Sequence, residues 1–548
     1  MNTVEISCTD ENTTPPVIAA LTATKNDAII KFEKGRYLFN RYGCLERKLY
    51  PSNNKGGLKN IVFPIVDANN IVIDGNDSEF VFEDRIFPFV IQNSKNITLK
   101  NFSMDFSFPR SFFAEVVRCD DEGIEFKYDE KLFDVFIDEE QNFCIGKDKN
   151  GFKTNLFLMR GSERNVKIGY AAAKYVSTKE SCGMEDELPA QTMKMHAEVL
   201  RGGILFLKYR DGSPKVNYLK GMKIIFSVEG RENIMIFADN SKNISLENIN
   251  IFRGAGMGVQ AQASENITAN KIKITPKYER GDIVSVTADA FHFVNCCGKV
   301  TLSDCVVEGS SDDALNVHGV YTVIQRVISD KCIEVRLCHY EQEGFIPYKT
   351  GDRIVISDAD SKDEKFECTV LSVEQGKDLF HILLNIDKEA KGMIDTGDYV
   401  ENPDRMPEVL VKNCKITACP HIRVSGNKKI VLQNNKISQI AGIVINDLID
   451  YWYESGRVND VLIENNVIED SYNGVMANGL HDKNLKSMHK NIVIKSNVIG
   501  TKGGSVLSAM GVDGLVFENN IIKNIEQSGY IMTEKCKNIS IKNNKFEN

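Results

Sequence analysis

The chain has 548 residues, 42% hydrophobic and 26% charged, a balance that excludes a disordered or collagen-like polymer. Its formal charge of −9 comes without a long Lys/Arg run, which argues against a dedicated nucleic-acid binder and for a neutral or small polar substrate. No apolar run of about 18 residues or more occurs, so no membrane-spanning helix is expected.

At the N-terminus, MNTVEISCTDENTTPP lacks both a basic and an apolar segment. That fits a cytoplasmic chain, or an exported one whose leader has been removed. The segment 17–39 reads as an amphipathic helix followed by a strand. It is expected to cap one end of a repetitive domain, where an open edge would otherwise be sticky.

The repeat is an alternating β-branched stretch closed by Asn. It reads NITLKN at 96–101, NISLEN at 243–248, IVLQNN at 430–435, VLIENN at 461–466, NIVIKSN at 491–497, LVFENN at 515–520 and NISIKNN at 538–544. The first apolar residues are Ile244, Ile267 and Val300, then Val409, Ile430, Val461, Ile492, Leu515 and Ile539, spaced 21 to 33 apart within each group. That is the period of a solenoid coil. Alternation makes each unit a short strand with one face inward, and Asn suits the turn that follows. The expected fold is all-β: a right-handed parallel β-helix with two inserted β-barrel-like domains and an N-terminal capping helix.

The insertions are the two breaks in rhythm, 147 residues from Ile97 to Ile244 and 109 from Val300 to Val409. The first contains FFAEVV, GIEFKY, GILFLKY and MKIIFSV; the second contains CIEVRL, DRIVISD, FECTVLSV and FHILLNI. All eight read as strands. The expected divisions are 1–106 for cap and first coils, 107–235 for the first insertion and 236–320 for coils carrying an acidic cluster. They continue with 321–407 for the second insertion and 408–548 for the last coils. Of the cysteines, Cys305, Cys414 and Cys536 sit where other repeats place small residues. Buried free thiols are expected rather than a disulfide framework. No CxxC pair suggests zinc.

The chemistry is expected where TADAFHF (287–293) and GSSDDALNVHG (309–319) form consecutive coils. Asp289 then lies about one rung, roughly 4.8 Å, from Asp312 and Asp313. A solitary Asp in a turn is usually a turn-former. Three crowded carboxylates are electrostatically costly and point to acid/base work or to a cation. Glycoside hydrolysis needs one protonated and one ionised carboxyl, and crowding separates their proton affinities. His292, Asn316 and His318 flank the cluster, where they can tune it or bind hydroxyls. Gln260 and Gln262, in GMGVQAQ (256–262), point the same way one coil earlier. Arg423 lies on a later coil that faces the same groove. In YWYESG (451–456), Trp452 beside Glu454 is a sugar-gripping pair: ring face for stacking, acid for hydroxyls. HYEQEGF (339–345), in the second insertion, offers His339, Glu341 and Glu343 if it folds over the groove, with Glu343 taken as the binding residue.

Taken in this order, GMGVQAQ, TADAFHF, SSDDALNVHG, HYEQEGF and YWYESG resemble glycoside hydrolase family 110, over nearly the whole chain. Those are bacterial exo-acting α-1,3-galactosidases that act on blood-group-B-type glycans. The resemblance implies a parallel β-helix with inserted barrels and hydrolysis with inversion. It implies no cofactor and no metal. Asp289, Asp312 and Asp313 match the family's acidic cluster. By analogy with the polygalacturonases, Asp312 is the acid, and Asp289 and Asp313 activate water. The expected partner is an oligosaccharide or glycoconjugate ending in α-galactose and, at most, a second copy of the chain as a homodimer. The competing readings are another β-helix carbohydrate enzyme (polygalacturonase-like hydrolase, lyase or epimerase) and a non-catalytic glycan-binding solenoid. An anionic substrate would call for several free Lys or Arg; a binding solenoid would not need three crowded carboxylates.

Overall fold

A computed structural model describes the chain apart from residues 10, 111, 139–142, 149–152, 158–164, 168–175, 179–180, 184–191, 210–214, 216–217, 227–230, 232, 448–450, 480–487, 524–529 and 548. Parallel strands stack coil on coil into a parallel β-helix. The repeat markers pair rung on rung. Ile97 pairs with Ile244, Ile244 with Ile267 and Ile267 with Val300. Val300 pairs with Val409, and the row runs on through Ile430, Val461, Ile492 and Leu515 to Ile539. Two of these pairs span the long gaps, so both insertions leave and re-enter the stack without loss of register.

Two kinds of Asn make the turn. In the Asn-Asn pairs of the C-terminal coils the first residue takes the left-handed conformation, as at Asn434, Asn465 and Asn519 (φ 57°, 56° and 57°). The next residue turns inward and is buried: Asn435, Asn466 and Asn520, together with Asn497 after the left-handed Ser496, form a ladder inside the stack. Each backbone N–H donates to the amide oxygen of the next Asn at 2.9 Å. Each Nδ2 donates to a carbonyl of the preceding coil, such as Asn466 to Leu432 at 2.8 Å. Buried amides are tolerated there because every polar atom is paired. The N-terminal coils use Ser94, Ser241 and Ser264 in the same manner. Their core is aromatic, with Phe63 and Phe89 stacked at 4.1 Å and Phe80 and Phe102 at 4.9 Å.

The cap is the helix Thr14–Ala23, with Pro15 and Pro16 in its first turn and Val17, Ala20 and Leu21 buried. A strand that the sequence pattern did not reveal, Asn2–Ile6, pairs with Asn26–Phe32 and begins the stack. Cys305 and Cys414 are buried free thiols; Cys536 is also free but half-buried, because it lies on the last coil.

All eight expected insertion segments contain strands, although Ser227 and Val228 of MKIIFSV lie outside the described residues. The first insertion holds a six-stranded antiparallel sheet with Phe112, Val116, Phe126, Leu205 and Leu207 in its own core. Among the described residues its outer strands, Asn165–Lys167 and Lys223–Phe226, do not pair with each other. The second insertion is a closed six-stranded barrel running from Thr322–Ser329 to Tyr399–Glu401. Among the described residues no helix is long and apolar enough to cross a membrane.

Candidate active site

Three strands in register build the floor. Phe291–Val294 pairs with Leu315–Val320, and that strand with Lys415–Val424. The pairing stacks Gln260, His292, Asn316 and Arg423 at one register on four successive coils. The same offset places Asp289 over Asp313, and the Ala290 N–H donates to the Asp313 carbonyl at 2.9 Å. Asp312 sits at the bend before the strand, where Ser310 Oγ donates to its carbonyl at 2.6 Å. The bend sends adjacent carboxyls into one cavity, which a continuous strand would not do.

That cavity measures about 420 Å³ and is lined by all three aspartates together with Asn53, Arg231, His292, Asn316, Arg423, Trp452 and Glu454. Asp289 and Asp313 are buried, whereas Asp312 is 31% exposed at the rim. Arg231 Nη2 pairs with Asp312 at 2.5 Å and sits 5.5 Å from the Trp452 ring. Arg423 Nε donates to Asp313 at 3.2 Å, and His421 Nδ1 is 3.0 Å from the other carboxylate oxygen. Glu454 accepts from Asn53 at 3.0 Å and Asn316 at 3.4 Å. Asn316 Oδ1, buried in the wall, has no partner among the described residues.

The aspartates differ in proton affinity. Burial pushes Asp289 well above the usual carboxylate range, and the charges of Asp312 and Asp313 push it further. Burial acts on Asp313 in the same direction, but the His421 hydrogen bond and the Arg423 charge outweigh it and hold that carboxyl well below its ordinary value. Burial pulls His292 and His318 down to about 4, so both are neutral at pH 7.

Some expected residues sit elsewhere. Gln260 and Gln262 are buried under the segment 50–54 and do not line the cavity. Gln260 donates to the Ser52 carbonyl at 2.6 Å, and Gln262 accepts from the Ser52 N–H at 2.8 Å. The structure places them outside the cavity lining, where they anchor the segment that brings Asn53 to the wall. His318 lies behind His292 rather than on the cavity surface. Glu343 is half-buried beyond the short turn Tyr340–Gln342 and does not line the cavity either. From the same motif, His339 packs on Trp452 at 4.4 Å between ring centres, and the Arg231 charge bears on Glu341.

Asn53, Arg231 and His421 were missed. Arg231 and Asn53 come from distant chain segments and carry no local signal. His421 does carry one: it is two residues from Arg423, so on a strand both point the same way.

No family model matches the chain. Among solved structures it is similar to the family 28 exopolygalacturonase of Yersinia enterocolitica, at 10% identity and TM-score 0.39, covering 99% of this chain and 78% of that one. The exopolygalacturonase of Thermotoga maritima gives 10% identity and TM-score 0.38 over 100% and 92%. Among curated proteins it is 30% identical to alpha-1,3-galactosidase A of Shewanella woodyi over 509 residues, 90% of this chain and 80% of that protein. It is 27% identical to alpha-1,3-galactosidase B of Bacteroides thetaiotaomicron over 572 residues, 98% and 88% of the two chains. With that identity sustained along nearly the full length, the chain belongs to the α-1,3-galactosidases, the glycoside hydrolase family 110 that its motifs resemble.

Proposed function

We propose that the chain is an exo-acting enzyme that removes terminal α-1,3-linked galactose, from linear Galα1-3Gal or blood-group-B-type glycans, with inversion. The observation that carries this reading is three aspartates lining one cavity, with Asp289 stacked over Asp313 and Asp313 held by His421 and Arg423. Asp313 takes a proton from water as the water oxygen attacks the anomeric carbon. Asp312 takes up a proton as the bound sugar displaces its Arg231 partner, and gives that proton to the departing glycosidic oxygen. Its place at the rim suits this, because an exo-enzyme holds the terminal sugar inside and the leaving group toward the mouth.

Charge pairing favours a neutral sugar. Both cations on the cavity wall are committed, Arg231 to Asp312 and Arg423 to Asp313. A uronate would find no free cation among the described lining residues, which argues against the polygalacturonase-like reading. The test is to incubate the enzyme with Galα1-3Gal, its fucosylated B-type analogue and polygalacturonate. Galactose release from either galactoside is expected. Uronan cleavage without galactose release would overturn the proposal.

The ionised state of Asp313 gives a second test. In Arg423→Met the guanidinium is gone and the Asp313 carboxyl rises. Turnover needs that carboxyl ionised, so the acidic limb of the kcat/KM profile moves to higher pH, by about one to two units. An acidic limb that stays in place would contradict the assignment of Asp313 as base.

A further inference from the structure

Two buried histidines, His292 in the cavity wall and His318 behind it, have no role in the steps above. They form a chain of contacts that starts at Asp289. The Asp289 carboxyl Oδ2 is hydrogen-bonded to His292 Nδ1. His292 Nε2 lies 3.0 Å from His318 Nε2, and His318 Nδ1 lies 2.6 Å from the Gly319 carbonyl oxygen. Their rings meet nearly edge to face, at 86°.

The far end fixes every proton. A carbonyl oxygen can only accept, so His318 Nδ1 carries hydrogen. Neutral His318 then has a lone pair at Nε2. His292 Nε2 must donate to it, which leaves a lone pair on His292 Nδ1. Only a protonated Asp289 can donate to that lone pair. An ionised Asp289 would face it with like polarity, next to Asp313 one rung away.

We infer that His292 and His318 are positioning residues that keep a proton on Asp289, so that this carboxyl meets the cavity through its second oxygen as an acceptor only. The inference deepens the proposed hydrolysis and rests on it. The attacking water gives one hydrogen to Asp313 and the other to Asp289 Oδ1, and its lone pair is left aimed at the sugar. Asp313 becomes the sole base. The charged groups facing this chain are Asp312, Asp313, Arg231 and Glu454 at Asp289 and His292, with Glu454 and Arg423 at His318. Glu454 Oε1 also lies 3.4 Å from His318 Nε2, farther than His292 Nε2 at 3.0 Å, and the Gly319 carbonyl at 2.6 Å from Nδ1 stays the closest anchor.

Infrared difference spectroscopy at neutral pH tests this directly. Wild type minus Asp289→Asn shows the C=O stretch of a neutral carboxyl, and His318→Ala loses that band because His292 is free to turn its N–H toward Asp289. Absence of the band in wild type, or its persistence in a folded His318→Ala, overturns the inference. Should His318→Ala not fold, ¹⁵N-histidine spectra of wild type decide it. One buried ring protonated at Nδ1 and its neighbour at Nε2 are expected; any other pair of tautomers overturns it. Kinetics add a third readout. Asp289→Asn places an amide that donates to His292 and keeps an oxygen toward water, so its kcat falls about tenfold to a hundredfold, well short of the loss in Asp313→Asn. Equal losses would mark Asp289 as a second base. Failure of the hydrolase reading would look different: wild type would turn over no galactoside, with the spectra unchanged.

Discussion

Asp313→Asn lowers kcat by about a thousandfold or more, and Asp312→Asn does the same on natural glycans, while both variants fold. Asp313 is the carboxyl that His421 and Arg423 hold ionised, and an amide in its place cannot take a proton from water. Folding survives because an amide keeps the shape of the carboxyl it replaces and leaves the apolar core side chains of the same coils, such as Phe291 and Leu315, in place. The two variants separate on an aryl galactoside with a good leaving group. There Asp312→Asn recovers much of its rate, because the departing oxygen no longer needs a proton, whereas Asp313→Asn stays slow. Near-wild-type turnover of the natural glycan by either variant would refute the site.

Asn466→Ala destabilises the C-terminal coils by about 3 kcal/mol, several times what an exposed turn residue costs. The amide of Asn466 accepts from the Asn435 N–H at 2.9 Å and donates to the Leu432 carbonyl at 2.8 Å. Truncation leaves both backbone groups buried and unpaired. Its neighbour Asn465 is exposed at φ 56°, and Asn465→Ala loses only about 1 kcal/mol, the strain of a left-handed alanine. Asn465→Gly should restore it. Equilibrium urea unfolding compares the three. Equal losses in the two alanine variants would mean that the inner ladder contributes no more than the turn.

Why these features could or could not be read from sequence follows from how local they are. Alternation and turn Asn are local, so the row from Ile97 to Ile539 was readable across both insertions. Asn2–Ile6 was not, because NTVEI is too short and mixed to show alternation clearly. The aspartates were readable because a doubled Asp and a third one coil earlier stand out against the repeat. That Gln260 and Gln262 lie under residues 50–54 was not readable, because nothing near them in sequence shows that this segment covers them. Asn53 meets Glu454 across 401 residues of sequence, and Arg231 reaches Asp312 from the exit of the first insertion. Such contacts depend on where an insertion lands, and no period encodes that. The relay from Asp289 to Gly319 was half-readable: both histidines lay beside the cluster, but their direction of donation needed the carbonyl at the far end.

The most direct measurement is a ¹H NMR time course of Galα1-3Gal with the enzyme, read before mutarotation. β-Galactose as the first product is expected, since one attack by a water held on Asp313 inverts the anomeric centre. α-Galactose as the first product would contradict the account, because it requires a covalent sugar–enzyme intermediate that the account does not contain.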